Sequence, residues 1–142
     1  MQDDGDRKLE AVLARAQAAV ADLAKNFTES AVVDLDRAAA FVKAAREQPA
    51  TRADSVREVY GIAHNLKGQG SSFGFPLITR IGQSLCQLTR RARAFSDADL
   101  GVMQAHIDAI RLILAKDIKG EGGEVGDKLA ARLETLVAKA DA

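Results

Sequence analysis

The sequence predicts an all-α protein: an antiparallel, up-and-down four-helix bundle with an additional helix at its N-terminal and C-terminal ends. Three observations lead there. Apolar residues recur in steps of three and four along nearly the whole chain, the period of an amphipathic helix. Aromatic residues make up 4% of the composition and proline appears twice, which leaves little material for alternating strands. The periodic segments are about 20 residues long, hence about 30 Å, and are separated by recognisable turn signals. At 142 residues the chain is the size of one domain, so a single domain over residues 1–142 is expected, with its core bundle at about 28–118.

The elements follow in order. Leu9, Leu13, Ala16, Val20, Leu23 and Phe27 form one apolar stripe, which predicts a first helix over about 7–25. Thr28 is the expected N-cap of a second helix carrying Val32, Leu35, Ala39 and Val42, closed by Pro49 because the residue before a proline avoids helical geometry. A third helix over about 52–73 places Val56, Val59, Ala63, Leu66, Gly70 and Phe73 on its inner stripe. Gly74 then stands just past one helix end and Pro76 at the first position of the next, where each is best tolerated, so a tight helical hairpin is expected.

The fourth helix, about 76–94, presents Leu77, Ile81, Leu85, Leu88 and Ala92. Ser96 with Asp99 three residues on resembles a capping box and opens a fifth helix with Leu100, Met103, Ile107, Ile110 and Leu114, running to about Ile118. The segment 119–126 carries too much glycine and charge to continue it and reads as a loop. A last helix over about 127–140 offers Leu129, Leu133, Leu136 and Val137 for docking on the rest.

Charge and cysteine content narrow the partners. Lysine plus arginine and aspartate plus glutamate are both 20, so nothing in the balance asks for nucleic acid or an anionic membrane; a protein or small ligand is the expected partner. Cys86 stands alone, which fits a reducing compartment and reads as a small core residue rather than a redox site. The polar N-terminus lacks the apolar core of a signal peptide, and no apolar run reaches 18 residues or so, the length of a membrane span. A soluble, cytoplasmic monomer is expected.

Chemistry concentrates in "AHNLKGQGSSFGF", residues 63–75. On a helical wheel Arg57, Gly61, Gly68, Ser71 and Phe75 fall within about 60° of His64, while Ala63, Leu66, Gly70 and Phe73 lie toward the core. His64 therefore points outward, with glycine one turn before and one turn after it and nothing bulky between the imidazole and a large visitor. Glycine inside a helix costs about 0.8–1.0 kcal/mol relative to alanine, and packing within one chain gives no reason for it at the outward positions 61 and 68. An imidazole in water is mostly neutral at pH 7 and can attack through a ring nitrogen. Lys67, three residues on, is placed to hold an ammonium beside a phosphoryl group on that nitrogen, an attraction of about 1–4 kcal/mol depending on the effective dielectric. The chain has no P-loop, no glycine-rich loop after a strand and no kinase signature, so any phosphoryl group would come from another protein. Nor does the pattern call for a resident metal or cofactor.

The stretch from Ala63 to Gly74 closely resembles the signature of histidine-containing phosphotransfer (HPt) domains: His64 followed by Lys67, Gly68 and Gly74, with Leu66, Ser71, Ser72 and Phe73 also in agreement. The resemblance spans about residues 28–118; the first and last helices lie outside it. It implies a phosphorelay intermediate in which His64, typically through Nε2, accepts a phosphoryl group from the aspartate of one receiver domain and passes it to another. The receivers, on response regulators or hybrid histidine kinases, would supply the acidic pocket and Mg²⁺. It also implies that Lys67 stabilises the phosphohistidine and that Gly68 admits the receiver. Many members carry a glutamine on the following helix where this chain has Cys86. In a hairpin turning near Gly74, Gly68 is expected opposite Gly82, and Gln83, or Gln87, is the candidate substitute polar contact. Gly61 and Ser71 complete the expected docking surface.

Other readings compete. A helical docking module could bind receivers or kinases without carrying phosphate. A sensor-kinase dimerisation domain also carries a histidine on a helical hairpin, but usually with a proline soon after it, where this chain reads "NLKGQG". A chemotaxis-type input domain is closer in fold, though its kinase domains are absent. His106, at the edge of the fifth helix's stripe, reads as a surface residue without a task. Arg90, Arg91 and Arg93 could meet an acidic receiver surface, but a solvated helix end that complements the helix dipole accounts for them without function.

Overall fold

A computed structural model describes residues 2–141, with side chains from 3 to 140. Among the described residues the protein is all-helical, with five α-helices and no strand. They are α1 (Gln2–Glu47), α2 (Arg52–Gly70), α3 (Pro76–Thr89), α4 (Asp97–Ala115) and α5 (Gly123–Asp141). Short 3-10 turns at Pro49–Thr51 and Ser71–Phe73 join α1 to α2 and extend α2.

The first and second expected helices are one continuous helix, which corrects the boundary at Thr28. Nothing between Lys25 and Thr28 breaks a helix, and the Thr28 hydroxyl donates to Ala24 O at 3.1 Å within the helix instead of capping a new one. The apolar stripe runs through the expected break: Phe27, Ala31, Leu35, Ala38, Val42 and Ala45 are all buried. Upstream the same helix leaves the protein, since residues 3–23 are exposed throughout.

The α1 to α2 turn is held by Arg52, whose Nε donates to Ala45 O and whose Nη1 donates to Phe95 O, while Nη2 pairs with Asp97 at 2.9 Å. The α2–α3 hairpin forms as expected. Gly74 sits at φ 88°, the left-handed region that favours glycine, and Pro76 opens α3. Phe75 N donates to Gly70 O at 2.8 Å, and the Phe73 ring stacks on Phe27 of α1 with centroids 4.9 Å apart.

Helix α3 ends at Thr89, five residues before the expected 94. Of the arginines that follow, Arg90 is exposed, while Arg91 and Arg93 are structural ties rather than a solvated helix end. Arg91 donates to Val137 O at 2.7 Å, and Arg93 donates to Asp99 and to Ala140 O, contacts that hold the non-helical segment 90–96 against α4 and α5. The capping box at α4 is present in both directions, Asp99 N to Ser96 Oγ and Ser96 N to Asp99 Oδ2.

Helix α5 starts at Gly123, so the glycine-rich loop is shorter than 119–126 and the last helix longer than 127–140. Asp117, Gly120 and Gly122 at positive φ turn the chain, and Gly120 N bonds Gly74 O, tying this loop to the α2–α3 hairpin.

α1 packs on α2 and α4, α2 on α3, and α3 on α4, closing a ring; α5 lies against α3 and α4. One hydrophobic cluster fills the interior and includes Ala130, Leu133 and Val137 of α5 beside Ile78, Ile81, Leu100 and Ile107, so the core does not stop at 118. Each fully buried Leu or Ile contributes about 1.5–3 kcal/mol. No helix among the described residues is long and apolar enough to cross a membrane.

Candidate functional site

Rotation of α2 is set by its buried face: Val56, Val59, Ile62, Ala63, Leu66 and Gly70 all turn inward. His64 consequently points out and is exposed, as are Gly61, Asn65, Gly68 and Ser71. The wheel expectation holds for Arg57, Gly61, Gly68 and Ser71 but not for Phe75, which lies beyond the end of α2 and is buried in the core. Tyr60, one turn before His64, places its ring centroid 6.0 Å from the imidazole at 42°. Asp34 and Arg37 of α1 join Glu58, Tyr60, Gly61 and His64 of α2 around a shallow open depression.

A Cβ built on Gly61 or Gly68 would meet nothing within 4 Å, so neither glycine is required by packing. Gly70 is different: its Cβ would lie 2.8 Å from Thr79 Oγ1 and 2.9 Å from Phe75 O, which is why that inward position must be small. The glycines of the motif therefore divide into two that leave space over the histidine face, one at a close helix contact and one, Gly74, at a left-handed turn.

Lys67 lies at the α2–α3 seam and is half-buried. Among the described residues it makes no ion pair. Its backbone sits against Gly82, where a Cβ would come within 3.1 Å of Lys67 N. The close approach thus falls on Lys67, one residue from the Gly68 expected opposite Gly82. The Thr79 hydroxyl secures the same turn, accepting from Ser71 N and Oγ at 2.9 and 3.0 Å and donating to Lys67 O at 3.0 Å. Ser71 is thereby engaged in ending α2, though it remains on the exposed surface.

Across the seam Cys86 is buried, as expected of a small core residue. Burial pushes its thiol pKa up, opposed by the positive charges of Lys67 and Arg90. Lys67 is therefore electrostatically close to the position where the resembled family carries glutamine. Gln83 is half-buried, with Oε1 buried and lacking a hydrogen-bond partner, and is not bonded to Lys67. Gln87 lines a groove with Arg90, Glu134 and Val137, between α3 and α5.

His106 is fully buried, which corrects its reading as a surface residue. Nδ1 is 2.7 Å from Val102 O and Nε2 is 2.9 Å from Ser84 Oγ. A carbonyl only accepts, so Nδ1 carries the proton and Nε2 accepts from the serine hydroxyl. Burial pushes its pKa down, opposed by the Val102 carbonyl. Its neutral ring belongs to the α3–α4 interface and is out of reach of a visiting group.

Sequence reasoning missed Tyr60, which the i−4 spacing from His64 signals, and Thr79, for which the spacing from Ser71 carries no signal. Among the described residues no three His, Cys, Asp or Glu side chains are grouped to hold a metal ion. What the arrangement offers chemically is a nucleophilic nitrogen in the open, flanked by two low positions, with an ammonium one turn along that is in no ion pair among the described residues. No family model, no curated protein and no solved structure matches the chain.

Proposed function

We propose that the protein is a histidine phosphotransfer carrier of a phosphorelay, an antiparallel four-helix bundle of α1–α4 with α5 appended. In this reading His64 takes a phosphoryl group from the aspartyl phosphate of one receiver domain and hands it to the aspartate of another. A lone pair on an imidazole nitrogen attacks phosphorus, the P–N bond forms, and the P–O bond to the aspartate breaks with its electrons returning to the carboxylate. The other ring nitrogen keeps its proton. Lys67 then stands beside the added charge, and Gly61 and Gly68 leave the receiver room to bring its acidic pocket and Mg²⁺ to the ring. No ATP-binding element is involved, so the chain is a covalent participant rather than a kinase. Ser71 and Gln83 lie at the rim of the surface a receiver would cover.

The observation that carries the reading is the exposed His64 between two glycines at which an added Cβ would meet nothing within 4 Å, with Lys67 one turn on and in no ion pair among the described residues. Incubation with a phosphorylated receiver tests it. The expected product is label on this chain that is stable in alkali, labile in acid and absent from His64→Ala. Label that persists in His64→Ala would overturn the assignment.

A further inference from the structure

The surface that this chemistry leaves unused is the projecting part of α1. Leu9, Leu13, Ala16, Val20, Leu23 and Phe27 follow alternating steps of four and three, the spacing of the a and d positions that join two helices. Phe27 is buried in the protein's own core, but Leu9, Leu13, Val20 and Leu23 are 51–64% exposed. With Val12, the projecting segment holds five of the nine large hydrophobics exposed among the described residues. Residues 3–26 span about 36 Å of helix, and contiguous apolar surface of this kind marks an interaction site.

The flanks indicate the occupant. Between Leu9 and Phe27 the positions beside the seam are Glu10, Val12, Gln17, Ala19, Ala24 and Asn26, with one charge among them, so over this stretch a copy of the same face meets no like-charge conflict and the alanines allow close approach. A charged partner would find little to pair with there. An anionic membrane is also a poor match, because the segment has five acids against four bases and no basic polar face. Orientation follows from continuity. The seam runs straight into the face of α1 that its own core covers from Phe27 onward, so a parallel pair would drive two packed bodies together. It would also gather Asp3, Asp4 and Asp6 of both copies at one tip. An antiparallel pair sends the two bodies to opposite ends.

We propose that residues 3–26 pair with the same residues of a second copy as an antiparallel two-helix coil, making the protein a homodimer in place of the monomer expected from sequence. Sedimentation of the intact chain tests this. The expected wild-type species has about twice the 15.1 kDa chain mass and dissociates on dilution. Leu13→Ala with Leu23→Ala favours helix while thinning the seam, and should raise the dissociation constant about tenfold or more. Ala14→Glu with Ala18→Glu, on the opposite face, should leave it unchanged. A wild type that stays monomeric, a dimer undiminished by the seam pair, or a dimer lost equally in the opposite-face pair would each overturn the proposal. A monomer that co-sediments with anionic phospholipid vesicles would overturn it in favour of a membrane.

Discussion

Gly82 of α3 faces Lys67 of α2 so closely that a Cβ would lie 3.1 Å from the Lys67 backbone nitrogen and 3.2 Å from its Cα. The neighbour is helix backbone, which cannot rotate out of the way. Gly82→Ala is therefore expected to push α2 from α3 and to lower stability by about 1–3 kcal/mol, against the small gain alanine brings to an isolated helix. Chemical denaturation checks this; an unchanged or raised midpoint would show that the seam is looser than its geometry.

Gly68 gives the opposite expectation, one residue away. With nothing within 4 Å of an added Cβ, Gly68→Ala should stabilise by about 0.5–1 kcal/mol. Gly68→Gln should leave the fold at least as stable as wild type while slowing phosphoryl transfer, because the longer side chain occupies the approach to His64. Transfer at the wild-type rate in Gly68→Gln would refute the open-approach argument.

His106 makes stability depend on pH. Its pKa is lowered in the folded protein, so the unfolded chain binds the proton more readily. The contribution is complete above the ordinary imidazole value of about 6.5 and is lost as pH falls below it, with a slope of at most about 1.4 kcal/mol per pH unit. Urea midpoints between neutral and mildly acid pH should fall in wild type more steeply than in His106→Gln; parallel profiles would remove His106 as the cause.

Asp99 acts at lower pH. Burial would raise its pKa, but hydrogen bonds from Arg93 and from Ser96 N, with the nearby Arg93 charge, hold it below the usual carboxylate range. Its stabilisation is thus present above about pH 4 and lost as pH falls through its depressed value. Asp99→Asn, which weakens both the capping box and the tie to Arg93, should cost about 1–2 kcal/mol at neutral pH. Thermal melts should show the two proteins converging in acid.

Much of this structure is legible in the sequence where local chemistry decides it. The Gly74–Pro76 hairpin, the Ser96–Asp99 cap and the outward turn of His64 each depend on residues within a turn or two. Where distant groups decide, the sequence misleads. Thr28 has the chemistry of a cap, yet the stripe from Leu23 through Phe27 to Ala31 carries α1 straight past it. Arg91 and Arg93 resemble a solvated helix end because their partners, Val137 O and Ala140 O, lie over 40 residues away. His106 sits at a stripe edge, and its Nε2 finds its partner in Ser84 on another helix. The Lys67–Gly82 contact falls one residue from expectation, a register between two helices that spacing along one of them does not show.

The central claim is that His64 is the atom-level carrier, and fragment mass spectrometry under mildly alkaline conditions reads it directly. After mixing with an aspartyl-phosphorylated receiver and Mg²⁺, the account predicts a phosphoryl group on His64 that disappears when an unphosphorylated receiver is added. A phosphoryl group found on another residue, or a chain that receives none while the donor receiver keeps its own, would contradict it.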